Sequence, residues 1–158
     1  MIAHIQGKLV EKNPTEVVID CGGVGYHINI SLHTYSLLPN ADQIKLFTYL
    51  QIKEDAHTLF GFFEKSEREI FKMLLSVSGI GASIARTMLS SLEPKQIIQA
   101  IASGDVGTVQ SIKGIGVKTA QRVILDLQDK VLKLFDLDEI SMVLNNTNRD
   151  EALSALEV

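Results

Sequence analysis

Two stretches of this chain, 35 residues apart, are copies of one another. Residues 74–92 read LLSVSGIGASIARTMLSSL and residues 109–127 read VQSIKGIGVKTAQRVILDL, identical at six of nineteen positions. In each copy an apolar helix pattern stops, a Gly-Ile-Gly turn follows, and a second helix pattern begins. Leu74 and Val77, or Val109 and Ile112, give the first helix its hydrophobic face. The glycines allow a sharp reversal and let a foreign backbone come close. The central isoleucine is placed to wedge between the two helices. One such copy is matched by any αα-hairpin with a glycine turn; two with the same turn and the same flanking apolar positions point to a repeated device.

The chemistry of that device lies at the start of its second helix. The first N–H groups of a helix have no partner within it, and the macrodipole makes that end positive, so it attracts anions. The groups offered are Gly79, Ile80, Gly81, Ala82 and Ser83 in the first copy, and Gly114, Ile115, Gly116, Val117 and Lys118 in the second. Lys118 and Arg122 are four apart on one helix face and can flank the same ligand. A DNA phosphate suits the site, and a phosphate contact carries no information about base identity.

The charge distribution agrees. The chain has a formal net charge of −4, but residues 72–122 carry +4, against −3 for residues 1–71 and −5 for residues 123–158. With no Trp and 6% aromatic residues, the core is expected to be Ile, Leu and Val, and a base-stacking platform is not expected. The single cysteine, Cys21, rules out an internal disulfide and is expected to be a small buried hydrophobe. His4, His27, His33 and His57 show no metal-ligand spacing. No glycine-rich loop ends in Lys-Ser/Thr, so ATP hydrolysis is expected of a partner. No cofactor or metal is expected. No run reaches the roughly 18 apolar residues needed to cross a bilayer, and the N-terminus lacks a signal-peptide pattern, so a cytoplasmic protein is expected.

Ahead of the repeat the pattern is β. Strands are expected over Ile2–Val10, Glu16–Cys21, Tyr26–Ile30, Ile44–Ile52 and His57–Phe62, with turns at 13–15 and 22–23 and a small helical insert near 35–38. This suits a five-stranded barrel of the OB type, with a β-sandwich fragment as the competing arrangement. The expected fold is therefore multidomain, β then α: an OB-fold barrel over 1–63, a tandem helix-hairpin-helix domain over 64–135, an acidic Asn/Thr-rich linker over 136–149, and the start of a truncated helical domain over 150–158.

At this point the chain resembles the RuvA family, the bacterial subunits that recognise Holliday junctions. The resemblance rests on Met1-Ile2 with Gly7, Gly22-Gly23-Val24-Gly25-Tyr26, Lys53-Glu54-Asp55-Ala56, Leu59-Phe60-Gly61-Phe62 and both hairpins, in order along nearly the whole chain. It implies a homotetramer, in some cases two face to face as an octamer, that holds an open, nearly planar four-way DNA junction. It also implies a RuvB-type hexameric ATPase and a RuvC-type junction resolvase as partners, in recombination and repair. By similarity Glu54 and Asp55 form an acidic pin that repels phosphates at the crossover. The chain departs from the family pattern at Ser83 and Val117, where members often carry basic residues. The C-terminal domain is the other departure, since only its first helix is expected here.

Two other functions fit parts of the sequence. A helix-hairpin-helix repair glycosylase needs an Asp about twenty residues after the hairpin; Asp136 and Asp138 fall there, but in a polar linker without pocket aromatics for a flipped base. A single-strand-binding OB-fold protein needs exposed stacking aromatics, whereas Tyr26, Tyr35, Phe47 and Tyr49 are expected in the core.

Overall fold

The computed structural model describes residues 1–134. The expected linker at 136–149, the expected terminal helix at 150–158, and Asp136 and Asp138 lie outside the described residues. Five strands, β1 (His4–Lys12), β2 (Glu16–Cys21), β3 (Val24–Ile30), β4 (Gln43–Ile52) and β5 (His57–Phe62), close into a barrel in the order β1-β2-β3-β5-β4. All pairings are antiparallel except β3 with β5. A short helix, α1 (Leu32–Leu37), connects β3 to β4. This is the OB-type barrel, not the sandwich fragment. The first strand begins and ends two residues later than its apolar pattern suggests, and its register with β2 shifts between Leu9 and Glu11, a β-bulge.

Alternation explains the interior. Val17, Ile19, Ile28, Ile30, Ile44 and Leu46 all point inward and are almost fully buried. The apolar run on β5 is continuous because that strand is covered on both faces. Leu59 belongs to the barrel core. At Gly61 a Cβ would stand 2.5 Å from Ile28 Cγ2 and 3.0 Å from Leu46 Cδ1, so only glycine fits without displacing the core. On the other face Phe60 and Phe62 meet Phe71 of α2 (Lys65–Leu75), with ring centroids 5.1 and 5.0 Å apart, and Tyr49 presents its edge to the same ring at 5.6 Å.

A buried carboxylate fixes this junction. Ser31 caps α1 by accepting from Thr34 N at 3.0 Å, and its hydroxyl donates to Glu67 at 2.7 Å. Thr34 also donates to Glu67, while its oxygen accepts from Phe63 N at 3.2 Å. Burial pushes the Glu67 carboxyl above its usual range, against the lowering effect of the two hydroxyl donors.

Two compact units result: Met1–Ser76 with Ile80–Glu93, and Val77–Gly79 with Pro94 onward. The first helical pair, α2 with α3 (Ala82–Ser91), groups in one compact unit with the barrel. The second unit holds α4 (Pro94–Ser103), α5 (Val106–Gln110) and α6 (Val117–Leu134). Pro94 opens α4, as its fixed φ favours. Asp105 caps α5 by accepting from Thr108 N at 3.2 Å, and bonding to Thr108 lowers its carboxyl pKa. Ile97, Ile101, Val109, Ile112, Val123, Leu127 and Val131 are buried there, and Gln128 Nε2 donates to Ala102 O at 3.1 Å to tie α6 to α4.

Cys21 corrects an expectation. It is only half-buried, with Sγ 3.2 Å from Gln6 O, because β2 turns outward into the Gly22-Gly23 reversal as its apolar pattern ends.

Candidate nucleic-acid interface

The repeat in sequence is a repeat in local geometry. Ser76 ends α2 and Ser111 ends α5, and each hydroxyl donates to the carbonyl three residues back at 2.6 Å. Gly79 and Gly114 follow with φ of 93° and 92°, a conformation that L side chains rarely adopt. Ile80 and Ile115 are buried. Gly81 and Gly116 then accept the first helical hydrogen bonds, from Ala85 N at 2.9 Å and Ala120 N at 3.0 Å. Ala85 and Ala120 have no exposed surface, which accounts for a small residue at that position in both copies. Five of the six identities thus correspond to a turn, a cap or a close contact.

Both helix starts face outward. Gly79, Gly81, Gly114 and Gly116 are exposed, and a Cβ built on any of them meets no protein atom within 4 Å. Gly81, the residue preceding α3, has φ −92° and ψ 177°, and no side chain caps that helix. Its leading N–H groups are left without a protein acceptor. Ser83 is exposed beside them, as are Val117 and Lys118 at the start of α6. Arg122 is exposed but shares its guanidinium with Asp126 at 3.3 Å. Ile80 and Ala82 have buried side chains, so any contact they make with a ligand is through the main chain alone; Ile115 is buried too, and its N–H already donates to Ile112 O at 3.1 Å.

Glu54 and Asp55 sit exposed at the β4–β5 reversal, which Lys53 N closes by donating to Ala56 O at 2.8 Å. Ile52, next to it, is 67% exposed, a large apolar side chain left uncovered on the barrel.

Sequence reasoning overlooked Arg86. It lies one turn into α3, and its Nη1 donates to Asn29 Oδ1 at 3.2 Å and to Thr15 O at 3.4 Å. An arginine in an amphipathic helix reads as a solvated face; only the fold shows that it borders a cleft with Ser83 and Lys53.

The aromatic residues expected in the core are half-buried, Tyr26 and Tyr35 packing against the barrel core from its edge. Lys12 Nζ lies 5.3 Å from the Tyr35 ring, and Lys45 and Arg68 lie 5.2 and 5.6 Å from the Phe47 ring. These rings are occupied by cations, and Tyr49 by Phe71, rather than arrayed for stacking on bases. Two histidines pair with carboxylates, His27 with Glu16 at 2.6 Å and His33 with Glu64 at 3.3 Å.

A closed OB-type barrel joined to two hairpins of this shape defines the class: a barrel protein with a tandem helix-hairpin-helix. Residues 1–61 match the family model of the RuvA N terminal domain, and residues 71–129 match that of the SAM-like helix-hairpin-helix tandem. A Flavobacterium psychrophilum protein named Holliday junction branch migration complex subunit RuvA is 78% identical over all 158 residues, which cover 82% of its length. Proteins of the same name from Christiangramia forsetii and Cytophaga hutchinsonii are 64% and 53% identical, over 100% and 99% of this chain and 82% and 81% of theirs. The chain belongs to the RuvA family.

Proposed function

We propose that this protein binds four-way DNA junctions without reading sequence and holds them open for branch migration, as a non-catalytic DNA-binding subunit. The observation that carries the reading is the repeated outward-facing helix start, two exposed glycine-framed turns with φ of 93° and 92° at Gly79 and Gly114, the first of them opening a helix that no side chain caps. The relatives' printed name, a subunit of a Holliday junction branch migration complex, supports it. In this reading the barrel over 1–63 assembles four copies, as a tetramer or a face-to-face octamer, and the tandem over 64–135 grips the arms. Gly79–Ser83 and Gly114–Lys118 hold phosphates through main-chain N–H groups, apart from that of Ile115, which donates to Ile112 O at 3.1 Å, and Arg122 adds charge once Asp126 releases it. Glu54 and Asp55, four pairs in a tetramer, keep phosphates away from the crossover by like-charge repulsion. A RuvB-type hexameric ATPase moves the arms and a RuvC-type resolvase cuts them, in the bacterial cytoplasm. No helix among the described residues is long and apolar enough to cross a membrane.

A competition gel shift tests this with a four-way junction, linear duplex and single strand of shared sequence, at several salt concentrations. The junction is expected to compete best, with affinity falling steeply as salt rises. Equal competition by all three would overturn the reading, and preference for single strands would favour the barrel as the binding surface.

A further inference from the structure

We propose that Arg86 is the cation of the first hairpin's phosphate site. The inference rests on the reading of the hairpins as backbone clamps and adds a side chain to it. A cleft of about 580 Å³ lies within the barrel unit, lined on the barrel side by Asn29, Gln51, Lys53 and Thr58, and on the α3 side by Ser83 and Arg86. Ser83 and Arg86 are three apart on α3, so they are neighbours on one helix face. A cation at 86 therefore reaches the space that a cation at 83 would fill.

The guanidinium is both held and available. Its two hydrogen bonds come from Nη1 and go to neutral oxygens, of Asn29 and Thr15. Nε and Nη2 remain for a phosphate, which matches the planar fork of an arginine. The carboxylate that feels its charge is Glu16, and Glu16 is already bonded to His27 at 2.6 Å. Arg122 on the second hairpin differs, since it pairs directly with Asp126. Lys53, exposed on the barrel side, gives the cleft a second positive charge. Phe60 and Ile84 make part of the cleft wall apolar, so the two cations and the uncapped helix start are what favour a nucleic-acid phosphate there.

The test is the salt dependence of binding to a four-way junction, measured by fluorescence anisotropy alongside circular dichroism. Arg86→Gln is expected to weaken binding at least about fivefold and to flatten the log–log salt slope, by about 0.9 for each phosphate no longer neutralised. Adding Ser83→Lys to Arg86→Gln is expected to restore both. Arg86→Lys is expected to keep the slope that Arg86→Gln flattens, whereas a purely structural role would weaken binding in both variants without changing the slope in either. If Arg86→Gln does not fold, exposed Lys53→Gln decides: it is expected to flatten the slope, and an unchanged slope overturns the proposal. A folded Arg86→Gln with unaltered slope and affinity also overturns it, and leaves the hairpin reading standing if Gly116→Ala still weakens binding. If Gly116→Ala has no effect either, the hairpin reading falls and this proposal with it.

Discussion

Replacing Gly81 and Gly116 by alanine separates DNA contact from folding. Neither glycine has a positive φ, and an added Cβ meets no protein atom within 4 Å at either position. The fold therefore has no steric reason to resist the change. Alanine is a somewhat poorer residue than glycine ahead of a helix, but it restricts the unfolded chain by about 0.4–1 kcal/mol, and the two effects oppose each other. Stability is expected to change by less than about 0.5 kcal/mol, the range of an ordinary surface substitution. A phosphate seated on the amides is treated differently, because the methyl group occupies the space its oxygens need. Hydrogen bonds to a charged partner contribute about 1.5–3 kcal/mol each. Losing one per hairpin weakens binding by at least about tenfold, since 1.4 kcal/mol is a factor of ten. Anisotropy titration with a fluorescent four-way junction, beside urea unfolding, reads both quantities. A folded double variant with native affinity would refute the reasoning.

Other substitutions probe separate parts of the account. Gly79→Ala and Gly114→Ala, at φ of 93° and 92°, are expected to cost about 1–2 kcal/mol of stability each by urea unfolding, in contrast to their neighbours two residues on. Phe71→Ala, which empties the space between Tyr49, Phe60 and Phe62, is expected to cost about 3–5 kcal/mol, and a cost under about 1 kcal/mol would contradict the packing described. Glu54→Gln with Asp55→Asn is expected to leave arm binding intact while relaxing the preference for junctions over duplex; unchanged discrimination would count against the pin. Glu67 binds its proton more tightly folded than unfolded, so its contribution to stability is complete below its ordinary pKa of 4.5 and is lost as pH rises through the raised folded value. Relative to Glu67→Gln, the native protein should thus lose stability as pH rises from about 4 toward neutrality, and a flat difference would argue that the carboxyl is not perturbed.

How much was legible in advance depends on whether the cause was local. The strands Glu16–Cys21 and His57–Phe62 and the helix start at Pro94 follow from alternation, turn residues and proline geometry, all written in a few adjacent positions. The hairpins were legible because they occur twice. Glu67 was not: nothing in Lys65–Leu75 distinguishes a buried carboxylate from a solvated one until Ser31 and Thr34 arrive from another element. Arg86 was hidden for the same reason, its partners lying 57 and 71 positions away. Tyr26 and Tyr35 do pack against the barrel core, only partly buried, and alternation along β4 does not reveal that Lys45 and Arg68 lie against the Phe47 ring. Phe71 holds α2 to the barrel through three aromatic neighbours, and Arg86 and Ser90 tie α3 to it through Thr15, Asn29 and Leu32, partners that no single window of sequence contains.

The central claim concerns individual N–H groups, and hydrogen–deuterium exchange with and without a four-way junction addresses them directly. Amides of Gly81–Ser83 and Gly116–Lys118 should exchange quickly in the free protein and slow markedly on binding, because a phosphate oxygen replaces water as their acceptor. Protection confined to the barrel strands, with these two segments exchanging as before, would contradict the account.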